Sequence, residues 1–380
     1  MRPAEPPRET PLERRIKEII AREGPMPVSA YMALCLDDAE HGYYRRQPAI
    51  GAAGDFVTAP EISQVFGELI GLWCAVVWQQ MGAPGHVNLV ELGPGRGTMM
   101  RDMLRAARIV PAFRAALSVH LVDRSETLRT MQQATLADCG VPVHFHAASS
   151  QALTLSPQVA DGPTIVVGNE FLDTLPIAQF VFHAGQWHER RVVLAEAQGD
   201  ETQGLAFCAD ADAPIPPPEL PDALVPQEGS IYEAAAGHGL LAEGVLRARA
   251  AAGPLAALFI DYGHTRTGFG DTLQGVAEQK HVSPFHMPGE TDLSAQVDFQ
   301  SFTGACRSAG LAVDGPVPQA EFLGRLGIVE RASRLMAANA AQALAIEMQV
   351  QRLMAPSGMG SRFLALGVRS PELAPLPALA

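Results

Sequence analysis

Residues 88–104 read NLVELGPGRGTMMRDML. An apolar run enters a turn with glycines at 93, 95 and 97, and the residues after it have the spacing of a helix start. A strand that passes through glycines into a helix opens a βαβ unit, and the missing Cβ atoms let a ligand approach the backbone closely. A dinucleotide fingerprint, G-x-G-x-x-G, requires its third glycine at position 98, where Thr98 stands. A phosphate-cradling P-loop requires a lysine, and the turn has none. What remains is an acid-x-G-x-G-x-G pattern at a strand end, with Glu91 as the acid.

That pattern suits S-adenosylmethionine, which carries an amino-acid end and a ribose but no pyrophosphate. The next apolar run, SVHLVD, ends in Asp123. An acid at that strand end can accept hydrogen bonds from ribose hydroxyls in the crevice outside the sheet. The glycines alone also fit a ligand-free turn, with Asp123 as a helix N-cap. Asp123 favours the ligand.

Outward from this turn the chain alternates strands and helices. VNLVEL, SVHLVD, PVHFH, TIVVGNE and LAALFIDYG are apolar, β-branched runs bounded by turns, the pattern of parallel strands buried on both faces. RFLALGV is a late strand, and a seven-stranded, mostly parallel sheet accommodates them all. The expected class is α/β and Rossmann-like. An N-terminal helical and lid region (1–86) precedes the main domain (87–380), which carries inserted β and helical elements near 177–228 and 264–330. Helices are expected over 11–23, about 29–39, about 61–82 and about 330–354. Residues 177–208 alternate like an antiparallel meander, and 212–228 read as a Pro-rich surface connection.

Composition narrows the function. The 380 residues carry a formal net charge of −13, which argues against a broad nucleic-acid footprint and leaves room for a cationic acceptor in an acidic pocket. The five cysteines are scattered and form no CxxC pair, so neither a disulfide framework nor a zinc site is expected. No apolar stretch reaches the ~18 residues of a membrane span. The N-terminus lacks a secretory core and is rich in acids, so a cytoplasmic or mitochondrial matrix protein is expected.

The fourth strand ends in GNEFLDTLP, which crowds Asn169, Glu170 and Asp173 at its carboxyl end. Two carboxylates there can grip a guanidinium through charge-assisted bonds. The alternative is a polar turn with Asp173 capping a short helix. Asp261 in FIDYGHT would lie beside them, although a lone Asp at a strand end is often a loop anchor. His281 and Asp292 fall in later loops, and Asp298 starts a helix. Neither a G-x-S-x-G elbow nor HExxH is present, and no metal is expected.

GDFVTAPEISQVFGE, VELGPGRGTMMRDMLR, GNEFLDTLP, IDYG, GDTLQG, TDLSAQVDF and FLGRLGI occur in this order. The series resembles the MidA-like family of class I methyltransferases, whose mitochondrial members assist assembly of respiratory complex I. The resemblance covers about residues 29–368. It implies a Rossmann-like enzyme that uses S-adenosylmethionine and methylates arginine on a protein partner, in the mitochondrial members a core subunit of complex I. It also leaves room for a homodimer. By position, Glu91, Gly93, Gly95, Gly97 and Asp123 would hold the cofactor. The segment Gly54–Ser63 would close over it, with Thr58, Pro60 and Glu61 near it. Asn169, Glu170 and Asp173 would face the acceptor. Leu172-Asp173-Thr174 stands where the family tends to have Phe-Asp-Ala. A non-catalytic assembly factor, a small-molecule methyltransferase and a nucleotide-dependent oxidoreductase are the competing readings.

Overall fold

The structure is a computed structural model that describes residues 8–45, 58–147, 159–196, 203–221 and 223–379. The strand-forming runs become β1 (Val87–Leu92), β2 (Leu117–Asp123), β3 (Val143–Ala147), β4 (Thr164–Asn169) and β5 (Leu255–His264). β6 (Ala312–Pro318) and β7 (Phe363–Arg369) complete a sheet ordered β6-β7-β5-β4-β1-β2-β3. The pairs from β5 to β3 are parallel, and β7 runs antiparallel to both of its neighbours. The two residues Val297–Asp298 also pair with the end of β5. All six residues of β1 and of β4 are buried, as expected of strands covered on both faces.

The strand order fixes where a ligand can bind. From β1 the chain builds outward through β2 and β3, then returns to β4 on the other side. The crevice at such a reversal, outside the carboxyl ends, is where open α/β sheets hold ligands. It sets the glycine turn after β1 beside the loop after β4.

Helix α1 (Gln64–Gln80) packs closely on α2 (Thr98–Ala106), the helix that leaves the glycine turn. Gly67 and Gly71 permit the approach. A Cβ on Gly67 would lie 2.8 Å from Asp102 Cβ, and one on Gly71 would lie 2.6 Å from the Met103 carbonyl oxygen. Phe66 and Trp73 of α1 are fully buried, each contributing about 1.5–3 kcal/mol or more by area removed from water. Glu68 is buried and holds Arg105 of α2 at 2.9 Å and Arg331 at 2.8 Å, a charged tie between helices. Helix α3 (Glu126–Leu136) follows β2 and buries Leu128, Gln132 and Leu136 on one face.

Two helices differ from expectation. The early one breaks at Ser63 into Ala59–Ile62 and α1, because Ser63 is extended (φ −150°) and its Oγ caps the Val65 N–H at 3.4 Å. The expected helix over 330–354 is two, α4 (Ile328–Ala338) and α5 (Ala343–Met354). Asn339 leaves the helical region (φ −140°), and residues 337–342 are all exposed, so no burial holds the helix together there.

The chain forms two compact units. One comprises Ile50–Asp173, His238–Thr265 and Val297–Ala380 and contains the sheet above. The other comprises Met1–Ala49, Thr174–Gly237 and Arg266–Gln296. In the latter, Thr10 caps the helix Pro11–Glu23, whose Leu12, Ile16 and Ile20 face its own core. Its strands Ala178–His183, Gln186–Leu194 and Leu205–Ile215 form the expected antiparallel meander, joined by Ile231–Ala234. The third strand runs on to Ile215, into the stretch expected to be a surface connection. Among the described residues it pairs on one side only, and an edge position tolerates Pro214.

Candidate functional site

All three glycines of the turn have left-handed φ values: 64° at Gly93, 52° at Gly95 and 80° at Gly97. A Cβ on Gly93 would lie 3.0 Å from Phe171. Gly97 is the N-cap residue of α2 and takes the left-handed conformation. Asp123 Oδ1 accepts the Ser125 N–H at 2.8 Å, and Oδ2 accepts Gln132 Nε2 at 2.9 Å. The same Nε2 donates to the Gly95 carbonyl at 2.8 Å, so one amide joins the glycine turn to the end of β2. Sequence reading missed Gln132. Its signal was present: it is the one polar residue in the i, i+4 stripe of Leu128 and Leu136.

The electrostatics point to a cation. Burial, with Asp123 nearby, pushes Glu91 up from 4.5 to about 8, and its Oε2 is buried without a hydrogen-bond partner among the described residues. Burial pushes Asp123 up to about 6 against the pull of the Ser125 N–H. Two buried carboxyl groups beside a turn with no lysine offer a pyrophosphate no cationic partner. They suit a ligand with an ammonium, a sulfonium and hydroxyl donors, and S-adenosylmethionine fits the orphaned oxygen of Glu91 and the φ values of the turn.

Thr58, Pro60 and Glu61 stand at the start of the short helix Ala59–Ile62. Glu61 Oε1 accepts from Thr98 Oγ1 at 2.5 Å, and Oε2 lies 4.0 Å from Arg96, which ties this segment to the glycine turn. Residues Gly54–Val57 of the expected lid lie outside the described residues.

After β4, Asn169 Nδ2 donates to Glu170 Oε1 at 3.0 Å, and the Ala59 N–H donates to the same oxygen at 3.1 Å. Asn169 Oδ1 is buried without a partner among the described residues. Glu170 itself has φ +51°, an uncommon conformation for a non-glycine residue. Burial, with Asp173 adding to it, pushes the Glu170 carboxyl up to about 7, while the Ala59 N–H pulls it down. Asp173 is also buried. Asn169, Glu170 and Asp173, the residues expected to face the acceptor, thus lie together in the same unit as the glycine turn. His281 and Asp292 belong to the other unit, where His281 is exposed and Asp292 accepts from Tyr44 Oη at 3.4 Å. Asp298 caps the helix that follows it. Among the described residues, no group of three or more His, Cys, Asp or Glu is placed to hold a metal, and no helix is long and apolar enough to cross a membrane.

Residues 69–317 match a family model described as S-adenosyl-L-methionine-dependent methyltransferase. The mitochondrial protein arginine methyltransferase NDUFAF7 of Mus musculus is 34% identical, covering 95% of this chain and 85% of its own. Its Drosophila melanogaster homologue is 32% identical, over 94% and 87%. A crystal structure from Burkholderia thailandensis with S-adenosyl-homocysteine bound superposes with a TM-score of 0.81, at 27% identity, over 99% of this chain and 98% of that one. With the sheet order, the glycine turn and the paired acids, these matches settle the family. The chain belongs to the MidA-like family of class I S-adenosylmethionine-dependent methyltransferases.

Proposed function

We propose that the chain transfers a methyl group to an arginine guanidinium of a protein partner. The observation that carries this reading is the buried carboxylate cluster after β4, with Glu170 held near neutrality at about 7. The relatives named protein arginine methyltransferase support it. When bound, the cofactor supplies an electrophilic methyl on a positive sulfur.

The chain's residues do the rest. A guanidinium is charged and a poor nucleophile, so it must be held, aligned and relieved of a proton. Asp173 and Glu170 hold it through charge-assisted bonds, and Asn169 orients the Glu170 carboxylate. As the N–C bond forms and the S–C bond breaks, the nitrogen gives up one proton. Glu170, near neutrality, is suited to accept it.

Glu91, Gly93, Gly95, Gly97 and Asp123 are proposed as the cofactor-binding set, with Thr58, Pro60 and Glu61 alongside. The resemblance to a family whose mitochondrial members assist complex I assembly supports a core subunit of that complex as the partner. Names of the relatives also support a mitochondrial setting. The test is transfer of label from S-adenosylmethionine to that subunit, with Glu170→Gln/Asp173→Asn as the control. Label on the partner that disappears in the double variant supports the reading. Cofactor binding without transfer counts against it.

A further inference from the structure

We propose that Asp261 is a positioning residue that sets the acceptor carboxylates in place. The inference rests on the acceptor reading above. Asp261 stands on β5, beside β4, and is 1% exposed. Its Oδ2 accepts three consecutive backbone N–H groups, from Phe171 at 3.0 Å, Leu172 at 2.8 Å and Asp173 at 3.2 Å. Its Oδ1 accepts the Tyr262 N–H at 2.9 Å.

Three successive amides aimed at one oxygen fix the backbone of the loop that joins Glu170 to Asp173. Glu170 needs such fixing, because its φ of +51° is disfavoured for a side-chain-bearing residue and persists only where its surroundings impose it. Its own N–H is bound to the Ile260 carbonyl, next to Asp261 in the chain. The strand β5 therefore holds the loop from both ends.

With its backbone pinned, Glu170 offers Oε1 to the Ala59 N–H. Asp261 thus sets the acceptor acids themselves. Burial and its neighbours Asp173 and Glu170 push the Asp261 carboxyl well above the ordinary range. Its role is geometric.

The experiment compares the full-length wild type with Asp261→Ala and Asp261→Asn. Three readouts are taken: calorimetric titration with S-adenosylmethionine, steady-state methyl transfer to the partner subunit, and amide hydrogen exchange over residues 170–173. Asp261→Ala is expected to lower kcat by about 100-fold, the scale of a misplaced catalytic group, with cofactor Kd changed by less than about threefold. The amides of 171–173 lose protection. Asp261→Asn keeps a carbonyl oxygen for the three amides and recovers at least about tenfold of the lost kcat.

Unchanged kcat in Asp261→Ala, or amides that stay protected, overturns the proposal. So does parallel loss of cofactor affinity and rate, which marks a merely structural residue. Asp261→Asn as slow as Asp261→Ala also overturns it, since charge rather than position would then matter. If the wild type methylates no arginine, the acceptor reading fails, and the exchange measurement still decides whether Asp261 pins the loop.

Discussion

Replacing Glu91 with glutamine separates the two demands placed on this carboxyl group. Burial and Asp123 raise it from 4.5 to about 8 in the folded chain, whereas in the unfolded chain it ionises at its ordinary value. The folded state therefore keeps a proton that the unfolded state loses. Stability from this group is present in full below the unfolded value and is lost as pH rises toward 8. At pH 7 the loss spans about 2.5 pH units at ~1.4 kcal/mol each, roughly 3 kcal/mol. A glutamine has no proton to lose. Allowing for relaxation around a buried charge, Glu91→Gln is expected to stabilise the unliganded protein by about 1–3 kcal/mol at pH 7, a rise of a few degrees in Tm, and by about 1 kcal/mol or less at pH 5. Its cost falls on binding. Glutamine cannot give up a proton when the ligand's cationic end arrives, so the variant lacks the ionised partner that binding creates in the wild type, worth about tenfold or more in Kd. Thermal melts at pH 5, 7 and 8.5, paired with calorimetric titration of S-adenosylmethionine, measure both effects. A variant that melts at or below the wild type at pH 8.5, or binds the cofactor undiminished, would refute the reasoning.

Gly95→Val puts a β-branched residue at φ 52°, so calorimetry should show cofactor binding weakened beyond detection while far-UV circular dichroism stays near wild type. In the proposed cofactor site ribose hydroxyls donate to the ionised form of Asp123, so cofactor affinity should fall as pH drops through about 6; an affinity flat between pH 5 and 7.5 would remove Asp123 from the ribose site. His120 is buried, with Nδ1 3.0 Å from His146 Nε2 and its ring stacked 4.9 Å from His144. Burial lowers it to about 3, so the unfolded chain takes up a proton that the folded chain refuses, and stability should fall from pH 6.5 downward at up to ~1.4 kcal/mol per pH unit. Urea titrations of wild type and His120→Asn measure this, and equal acid slopes would rule His120 out as the cause.

Much of this protein could be read from the chain alone. The apolar runs placed β1 to β5 to within about two residues; β1 and β4, buried throughout, carry the unbroken apolar signal of strands covered on both faces, whereas the edge strand β3 is mostly half-buried or exposed. The third glycine one position early, with no lysine, set aside the phosphate ligands by local chemistry. Glu91 and Asp123 could be placed at the carboxyl ends of β1 and β2 from the runs that carry them, which is where they lie. Local pattern reached less far for the helices, since Ser63 and Asn339 break them through backbone conformations that the apolar spacing does not encode.

Only the tertiary structure decided what depends on side chains meeting across the sheet order. Asp261 is ninety residues from the loop it holds, and a strand-end Asp in sequence says nothing of three amides aimed at it. Gln132 reaches Gly95 and Asp123 because α3 packs its stripe back over the turn. Glu68 is a tie between helices because two arginines, from positions 105 and 331, converge on it. Periodicity in a sequence records which face of an element avoids water. Which partner waits on that face is set by the order in which β4 and β5 lie down beside β1, and that order exists only in the folded chain.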